Sequence, residues 1–202
     1  TYPNWVSREG ARGQEFNAWG VPPNGPNHVS NLVFTRMLSG PMDYTAGAFD
    51  LRPSERPEIT AEMGRHDKRS RIEHTLAKEL SLYVTIYSPV QMVMDLPENY
   101  QAKMDAFQFI KDVPVDWDQS IVLEAEPGDY ITYARKEKGS NDWYIGKTND
   151  EISRTSSISF DFLDKGKKYI ATVYSDTQNT HYKKNAKSYQ IKKYAVDSKS
   201  KL

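Results

Sequence analysis

The chain has 202 residues, of which 38% are hydrophobic and 27% charged, a composition typical of a globular protein with one large or two small domains. Lysine plus arginine and aspartate plus glutamate each total 27, so no net charge indicates binding to nucleic acid or to an anionic membrane. The absence of cysteine excludes disulfides, thiolate metal sites and cysteine nucleophiles.

The two ends of the chain carry little information about targeting. No run of about 18 apolar residues is present that would span a bilayer. No basic leader followed by an apolar stretch is found either, and the first residue is Thr1 rather than Met. We therefore expect this chain to be a fragment or a processed product.

Residues 1–31 are rich in Gly, Pro and Asn, which predicts a loop, with a short helical turn around residues 13–19. Loops of this length are usually either functional or disordered. Three aromatic residues argue against disorder, since disordered segments are poor in them. Glu9 and Glu15 lie six positions apart, with Arg12 between them. This pattern suits the chemistry of a polar ligand, although a simple solvated loop has the same spacing.

The next segments alternate short apolar pieces with loops. Residues 32–38 are predicted to form a helix or a buried strand, residues 42–45 a short strand, and residues 50–70 an exposed loop. Residues 71–87 are apolar most of the way round, which predicts a buried helix ending before Pro89, with a short helical continuation through Met92 and Met94.

A further short helix is predicted from Asp95 to about residue 110, and after it the pattern changes. The remaining sequence contains strand-like segments separated by turns, at 120–126, 130–135, 143–146, 155–162, 168–175 and 188–196. Strands at this spacing indicate an antiparallel β-sandwich or barrel. We therefore divide the chain into residues 1–110 and residues 111–202.

Residues 1–110 are too few for a complete α/β domain, since a (β/α)8 barrel needs roughly 250 residues. They match the closing units of such a barrel, followed by an all-β antiparallel sandwich. If so, the helix at residues 71–87 should present an exposed apolar surface to the rest of the barrel.

Several motifs in chain order resemble glycoside hydrolase family 97. They are Thr1-Tyr2-Pro3-Asn4, Arg8-Glu9-Gly10-Ala11-Arg12-Gly13-Gln14-Glu15, Phe34-Thr35-Arg36-Met37-Leu38, Gly40-Pro41-Met42-Asp43-Tyr44-Thr45, His74-Thr75-Leu76-Ala77, Tyr87-Ser88-Pro89, Asp95-Leu96-Pro97-Glu98-Asn99-Tyr100, Phe107-Gln108-Phe109-Ile110-Lys111-Asp112-Val113-Pro114 and Asp161-Phe162-Leu163-Asp164-Lys165-Gly166-Lys167-Lys168-Tyr169.

The resemblance implies the end of the catalytic barrel plus the C-terminal β-domain of a periplasmic or secreted α-glycosidase with calcium (Ca²⁺) in its active site. Its expected partners are an oligosaccharide substrate, the rest of the barrel and an N-terminal β-domain. By resemblance, Glu15 matches the general acid that protonates the leaving oxygen. Glu9 matches a calcium-ligating glutamate, and Glu15 contacts the ion too.

The Glu9-Gly10-Ala11-Arg12-Gly13-Gln14-Glu15 motif is more similar to the inverting, α-glucosidase-like branch of the family. A retaining α-galactosidase is the alternative. In the family the base or the nucleophile lies upstream of the residues matched here. We therefore expect the isolated chain to be inactive. A non-catalytic accessory or binding fragment is the alternative from another class.

Several other residues are minor candidates for the site. Asp43 is placed near the end of a barrel strand, as a site residue or as a carboxylate that orders a loop. Arg12 can pair with Glu9 or Glu15, and a structural role is favoured. The weaker candidates are Asn27 and His28 for sugar contact, Trp5 and Trp19 for stacking, His74 as a capping or structural histidine, and His66 and His181 as inert.

Overall fold

A computed structural model describes residues 6–18, 22–52 and 71–202. The helices are α1 (Pro26–Phe34), α2 (Leu76–Thr85), α3 (Pro97–Gln101) and α4 (Met104–Asp112), with short 3-10 helices at Gln14–Ala18 and Arg36–Ser39. The strands are β1 (Trp117–Glu126), β2 (Tyr130–Glu137), β3 (Trp143–Asn149), β4 (Tyr169–Ser175) and β5 (Gln190–Val196). Helices therefore precede strands, as the sequence predicts.

The described strands form two antiparallel sheets, one in the order β1-β2-β3 and the other β4-β5. Aromatic and aliphatic residues fill the space between them, where buried Phe160, Leu163 and Val196 meet Trp143 and Tyr169. This arrangement agrees with the predicted antiparallel sandwich. The segment predicted as a strand at residues 155–162 contributes only an isolated bridge, between Ser159 and Lys201.

Helix α2 is the centre of the helical half. Thr75 caps its start by accepting a hydrogen bond from the Lys78 amide. Its two apolar faces enter different clusters, one with Leu82 and Tyr83 and the other with Leu76 and Leu80. The prediction that this helix presents an exposed apolar surface is wrong. Strand β3 packs on it so closely that a Cβ added at Gly146 would lie 2.6 Å from Val84 Cβ.

Exposed apolar side chains lie elsewhere in the helical half, mainly after α2. They are Val6, Leu38, Val90, Met92, Val93, Leu96 and Met104. Residues 87–96 are not helical, so the predicted continuation through Met92 and Met94 is also wrong. Their backbone is held instead by tertiary contacts, such as the hydrogen bond from Met94 N to Ala46 O (3.2 Å).

Three smaller predictions also differ from the structure. Helix α1 begins at Pro26, inside the predicted loop, because a proline is well placed in the first turn of a helix. The predicted helix after residue 95 is two helices, α3 and α4. Residues 42–45 form no strand, only a parallel bridge between Met42 and Arg8.

No described helix has the length and apolar character needed to cross a membrane. Residues 53–70 of the predicted exposed loop lie outside the described residues.

Lys78 connects the two halves of the chain. Its ammonium group donates to the Pro26 carbonyl before α1 (2.7 Å) and to the Asn149 carbonyl at the end of β3 (2.5 Å). Both partners are neutral, and burial lowers the pKa of Lys78 to about 7 despite nearby acidic groups. The link between helices and sandwich therefore has a cation that titrates near neutral pH.

Replacing Lys78 with methionine should change how stability depends on pH. Above about pH 7 the folded chain has lost the Lys78 proton that the unfolded chain keeps, so this group makes the free energy of unfolding rise with pH. We expect the free energy of unfolding of the wild type, relative to Lys78→Met, to rise by roughly 3 kcal/mol between about pH 7 and pH 9.5. Urea unfolding at several pH values measures this, with exposed Lys193→Met as the control. A difference that does not change with pH would contradict the prediction.

Candidate active site

Glu15 projects from the short 3-10 helix Gln14–Ala18. Neighbouring residues in such a helix diverge by roughly 120° because it has three residues per turn. Gln14 and Asn17 are buried, whereas Glu15 is exposed. In the described part of the chain, the Glu15 carboxyl group makes no hydrogen bond and no ion pair. A fixed backbone therefore carries a carboxyl group that is free to meet a ligand.

The Glu9 carboxylate folds back over the loop that leads to Glu15. Its Oε1 accepts a hydrogen bond from the Gly13 amide (2.6 Å). A Cβ at Gly13 would lie 2.8 Å from the same oxygen, so the contact requires glycine. Glu9 itself is exposed. The two glutamates that the sequence singled out thus belong to one compact turn.

Arg36 holds the start of this turn. Its Nε donates to Glu9 O (2.8 Å), and its Nη2 donates to Arg8 O (2.7 Å) and Pro41 O (3.0 Å). Its Nη1 donates to Gly40 O and to the Ser39 hydroxyl, each at 3.1 Å. All five N–H groups of the guanidinium are used. Arg36 was not predicted as a functional residue, and a single arginine in an apolar segment carries no signal that would single it out.

Asn24 and His28 hold the other side of the turn. The Asn24 side chain donates to Gly13 O (3.0 Å), and the Asn24 backbone amide donates to Asn17 Oδ1 (2.7 Å). The His28 ring is hydrogen-bonded through Nε2 to Arg12 O (2.7 Å). Burial lowers the pKa of His28, so the neutral ring is favoured. In this structure His28 orders the loop.

The buried carboxylate of Glu79, on α2, lies directly behind Gln14. Its Oε2 accepts from the Gln14 side chain (2.5 Å) and from the Gly47 and Ala48 amides (2.9 and 3.0 Å). Its Oε1 meets His74 Nδ1 at 2.5 Å. His74 is therefore a structural histidine, as predicted, whereas the helix cap is its neighbour Thr75. Burial lowers the pKa of His74, and the hydrogen bond to Glu79 opposes that shift.

Asp43 and its neighbours connect the turn to α2. The Asp43 amide donates to Arg8 O (3.0 Å), and among the described residues the Asp43 carboxylate accepts only a long contact from the Thr45 hydroxyl (3.4 Å). Thr45 has φ +61, in the left-handed region, where a β-branched residue is an outlier. Such strain is often found near functional sites. Asp43 lies beside the turn, and the loop-ordering alternative agrees with its contacts.

Two other candidates form contacts of their own. Arg12 forms no ion pair with Glu9 or Glu15 and lies over the Phe16 ring instead, 4.8 Å from its centroid. The His181 ring stacks on Tyr182, 5.0 Å away. Trp5, Trp19 and His66 lie outside the described residues.

A metal ion was predicted on Glu9 and Glu15. Within residues 6–18, 22–52 and 71–202, no three His, Cys, Asp or Glu side chains cluster closely enough to hold one. The chemistry of the two glutamates nevertheless suits calcium, which prefers oxygen ligands and takes six to eight of them. These two carboxylates would make up part of such a set.

Comparison with known proteins places this chain in a family. A family model described as "Glycosyl-hydrolase 97 C-terminal, oligomerisation" matches residues 116–202. The retaining alpha-galactosidase of Bacteroides thetaiotaomicron is 33% identical over 207 residues, covering 100% of this chain and 29% of that enzyme. A family 97 enzyme of Pseudoalteromonas sp. strain K8, solved with acarbose, is 53% identical with a TM-score of 0.89, covering 100% of this chain and 30% of that enzyme.

A glutamate-to-glutamine variant from the same Pseudoalteromonas strain, solved with panose, is 52% identical with a TM-score of 0.89. These matches place the chain among the glycoside hydrolases. Within that class it belongs to family 97, as the motif resemblance indicated, and corresponds to the C-terminal portion of the family's enzymes. It spans 29% of the Bacteroides enzyme and 30% of the Pseudoalteromonas enzyme.

Proposed function

We propose that this chain is the C-terminal part of a calcium-assisted α-glycosidase in which Glu15 is the general acid. The observation that carries the proposal is the free, exposed carboxyl group of Glu15 on a turn whose neighbouring residue is fully buried. A general acid must reach the glycosidic oxygen with a proton on its carboxyl group. The hydrogen bonds of Gln14, Asn17 and Asn24 hold that group in place without occupying it.

In this proposal Glu9 and Glu15 contribute oxygen ligands to calcium, and the other ligands come from outside the described residues. Calcium, when bound, would supply positive charge that orients and polarises the sugar. The hydrogen bond from the Gly13 amide to Glu9 fixes the position of the Glu9 carboxylate before any ion binds. A second carboxylate, acting as base or nucleophile, completes glycoside hydrolysis. By family resemblance it lies outside these 202 residues.

We propose α-glucosides as the substrate class, with the inverting outcome that the motif wording suggests. The supporting observation is the difference in sequence identity between this chain and two of its relatives. The enzyme solved with acarbose is 53% identical to this chain, whereas the curated alpha-galactosidase is 33% identical. A retaining α-galactosidase is the second candidate because that relative carries this name. A periplasmic or secreted location follows from the family resemblance and stays a proposal.

A hybrid enzyme tests the proposal. The corresponding segment of the Pseudoalteromonas enzyme, 53% identical with a TM-score of 0.89, is replaced by these 202 residues. We expect the hybrid to hydrolyse nitrophenyl α-glucoside in preference to the α-galactoside, and chelation by EDTA to abolish the activity. The 202-residue chain alone should hydrolyse neither substrate, since it lacks the second carboxylate.

The unmodified Pseudoalteromonas enzyme, assayed in parallel, is the control for the assay and for the chelator. Preference of the hybrid for the α-galactoside would favour the second candidate. A folded hybrid without activity on either substrate would favour the non-catalytic alternative. EDTA-sensitive hydrolysis by the isolated chain would overturn the expectation that it is inactive.

We also propose that residues 116–202 join copies of the protein, because the family model that matches them is described by oligomerisation. The favoured surface is the outer face of the β4-β5 sheet. Ile170 there is 67% exposed and pairs with Ala195, which is exposed too. Among the described residues 116–202, no large apolar side chain is more exposed than Ile170.

Ile170→Lys should weaken self-association at least about tenfold, because burying a lysine in an apolar contact is costly. Sedimentation equilibrium of the chain measures the effect. Val122→Lys is the matched control, on the edge strand β1, where Val122 is 52% exposed. Loss of association in the Val122 variant alone would move the interface to the β1 edge.

A further inference from the structure

The Glu79 carboxylate lies at the junction between the helical half of the chain and the turn that carries Glu15. Glu79 and Gln14 are each 0% exposed, and His74 is 1% exposed. Four N–H groups converge on this carboxylate, from Gln14, Gly47, Ala48 and His74. An ionised carboxylate is acceptor-only, so this set of donors matches it.

Of these four donors, only Gln14 belongs to the Glu15 turn. Gly47 and Ala48 follow the strained residue Thr45, and His74 precedes α2. The backbone amide of Gln14 also donates to Tyr44 O at 2.9 Å. Gln14 is thus bonded at its backbone and at its side chain to two separate segments. The direction in which the next residue points is set by these two bonds.

Burying a charged side chain costs free energy, because the charge loses its contact with water. Two apolar side chains of similar volume would pack there without the cost of removing a carboxylate from water. What the carboxylate adds is direction, because hydrogen bonds to an ionised group are strong and geometrically specific. Misplacing a reacting group by about 1 Å can cost about 100-fold in rate.

We propose that Glu79 is a positioning residue, which through Gln14 fixes the backbone from which Glu15 reaches the glycosidic oxygen. The inference rests on the proposed role of Glu15 as general acid. Glu79 does not touch substrate; it acts through one side-chain contact. His74, which occupies the other carboxylate oxygen, directs Oε2 towards Gln14.

Gln14→Met tests the contact in the 202-residue chain. The substitution keeps the length and burial of the side chain but removes the donor to Glu79. We expect solvent exchange of the Gly13 and Gln14 amides, followed by NMR, to become between about 10-fold and 100-fold faster, the range expected for one lost bond to a charged group. Amides in β2 should keep their rates.

Gln91→Met is the matched control, because that glutamine donates to Ile86 O (3.3 Å) beyond the far end of α2. It should leave exchange at Gly13 and Gln14 unchanged. Unchanged exchange in Gln14→Met would overturn the proposal. In the double variant with Glu79→Gln, Gln14→Met should add little. Fully additive effects would show that the two residues act independently and would also overturn it. If Glu79→Gln does not fold, the single variant decides.

In the hybrid enzyme acting on an unactivated α-glucoside, Gln14→Met should lower kcat about tenfold or more with little change in KM, since positioning matters most in the transition state. Normal kcat in this variant, together with lost activity in Glu15→Gln, would overturn the positioning role and leave the proposed function intact. Full activity in Glu15→Gln would instead overturn the proposed function, and the amide exchange rates would still decide whether Glu79 holds the turn.

Discussion

Replacing Glu15 with glutamine in the hybrid enzyme should lower kcat on an unactivated α-glucoside by between about 100-fold and 10,000-fold, the usual contribution of a general acid. Glutamine has nearly the same shape but cannot deliver a proton to the leaving oxygen. Because the carboxyl group of Glu15 has no partner among the described residues, its removal leaves no buried group unsatisfied. The loss should therefore appear in catalysis rather than in stability.

Comparing two substrates sharpens this prediction. A nitrophenyl glucoside has a leaving group that departs without a proton, so its hydrolysis by Glu15→Gln should fall much less than that of an oligosaccharide. Glu126→Gln is the matched control, an exposed glutamate at the end of β1. Equal losses on both substrates would contradict an acid role for Glu15. No loss on either would place the catalytic acid elsewhere.

Replacing Gly146 with valine should separate the sandwich from the helices. A Cβ at this position would lie 2.6 Å from Val84 Cβ and 2.8 Å from Ser81 O. The second contact is with backbone, which cannot move aside as a flexible side chain can. Overpacking a tight core typically costs about 1–3 kcal/mol, and we expect the upper end of that range or more.

The free energy of unfolding, measured by urea denaturation, tests this prediction. Ala125→Val is the control, because it adds two methyl groups at an exposed position of the edge strand β1. Its free energy of unfolding should change by less than about 0.5 kcal/mol. A Gly146→Val variant as stable as the wild type would mean that β3 can shift away from α2 without cost. Such a shift would also move the Asn149 carbonyl away from Lys78.

The order of the elements could be predicted from the sequence because it depends on local periodicity. Apolar residues recur around most of the circumference of α2, and strand-like segments separated by turns mark the sandwich. Local periodicity does not predict which helix or strand packs against which other element. The sequence indicated that α2 would be exposed to missing neighbours, but Gly146 on β3 brings a sheet against it. That contact joins residues about 60 positions apart and has no short-range signature.

The candidate site divides in the same way. Glu9 and Glu15 could be identified from a motif, because glycines, an arginine and two acids stand close together in the chain. Arg36 and Glu79 could not, since each acts on backbone and side chains that are distant in sequence. In the sequence Glu79 looks like any other residue of a helix, and its role becomes apparent only from the donors that surround it in the structure. The pairing of Arg12 with the acids looked reasonable from spacing, yet the structure places its guanidinium over Phe16.

The sequence by itself determined that this chain carries family 97 motifs, with a glutamate-rich turn before a helical segment and an antiparallel sandwich after it. Only the tertiary structure decided that Gln14 points inward to Glu79 and Glu15 points outward. The physical reason is that a buried carboxylate requires donors, and four N–H groups from three distant segments satisfy it only when the chain is folded.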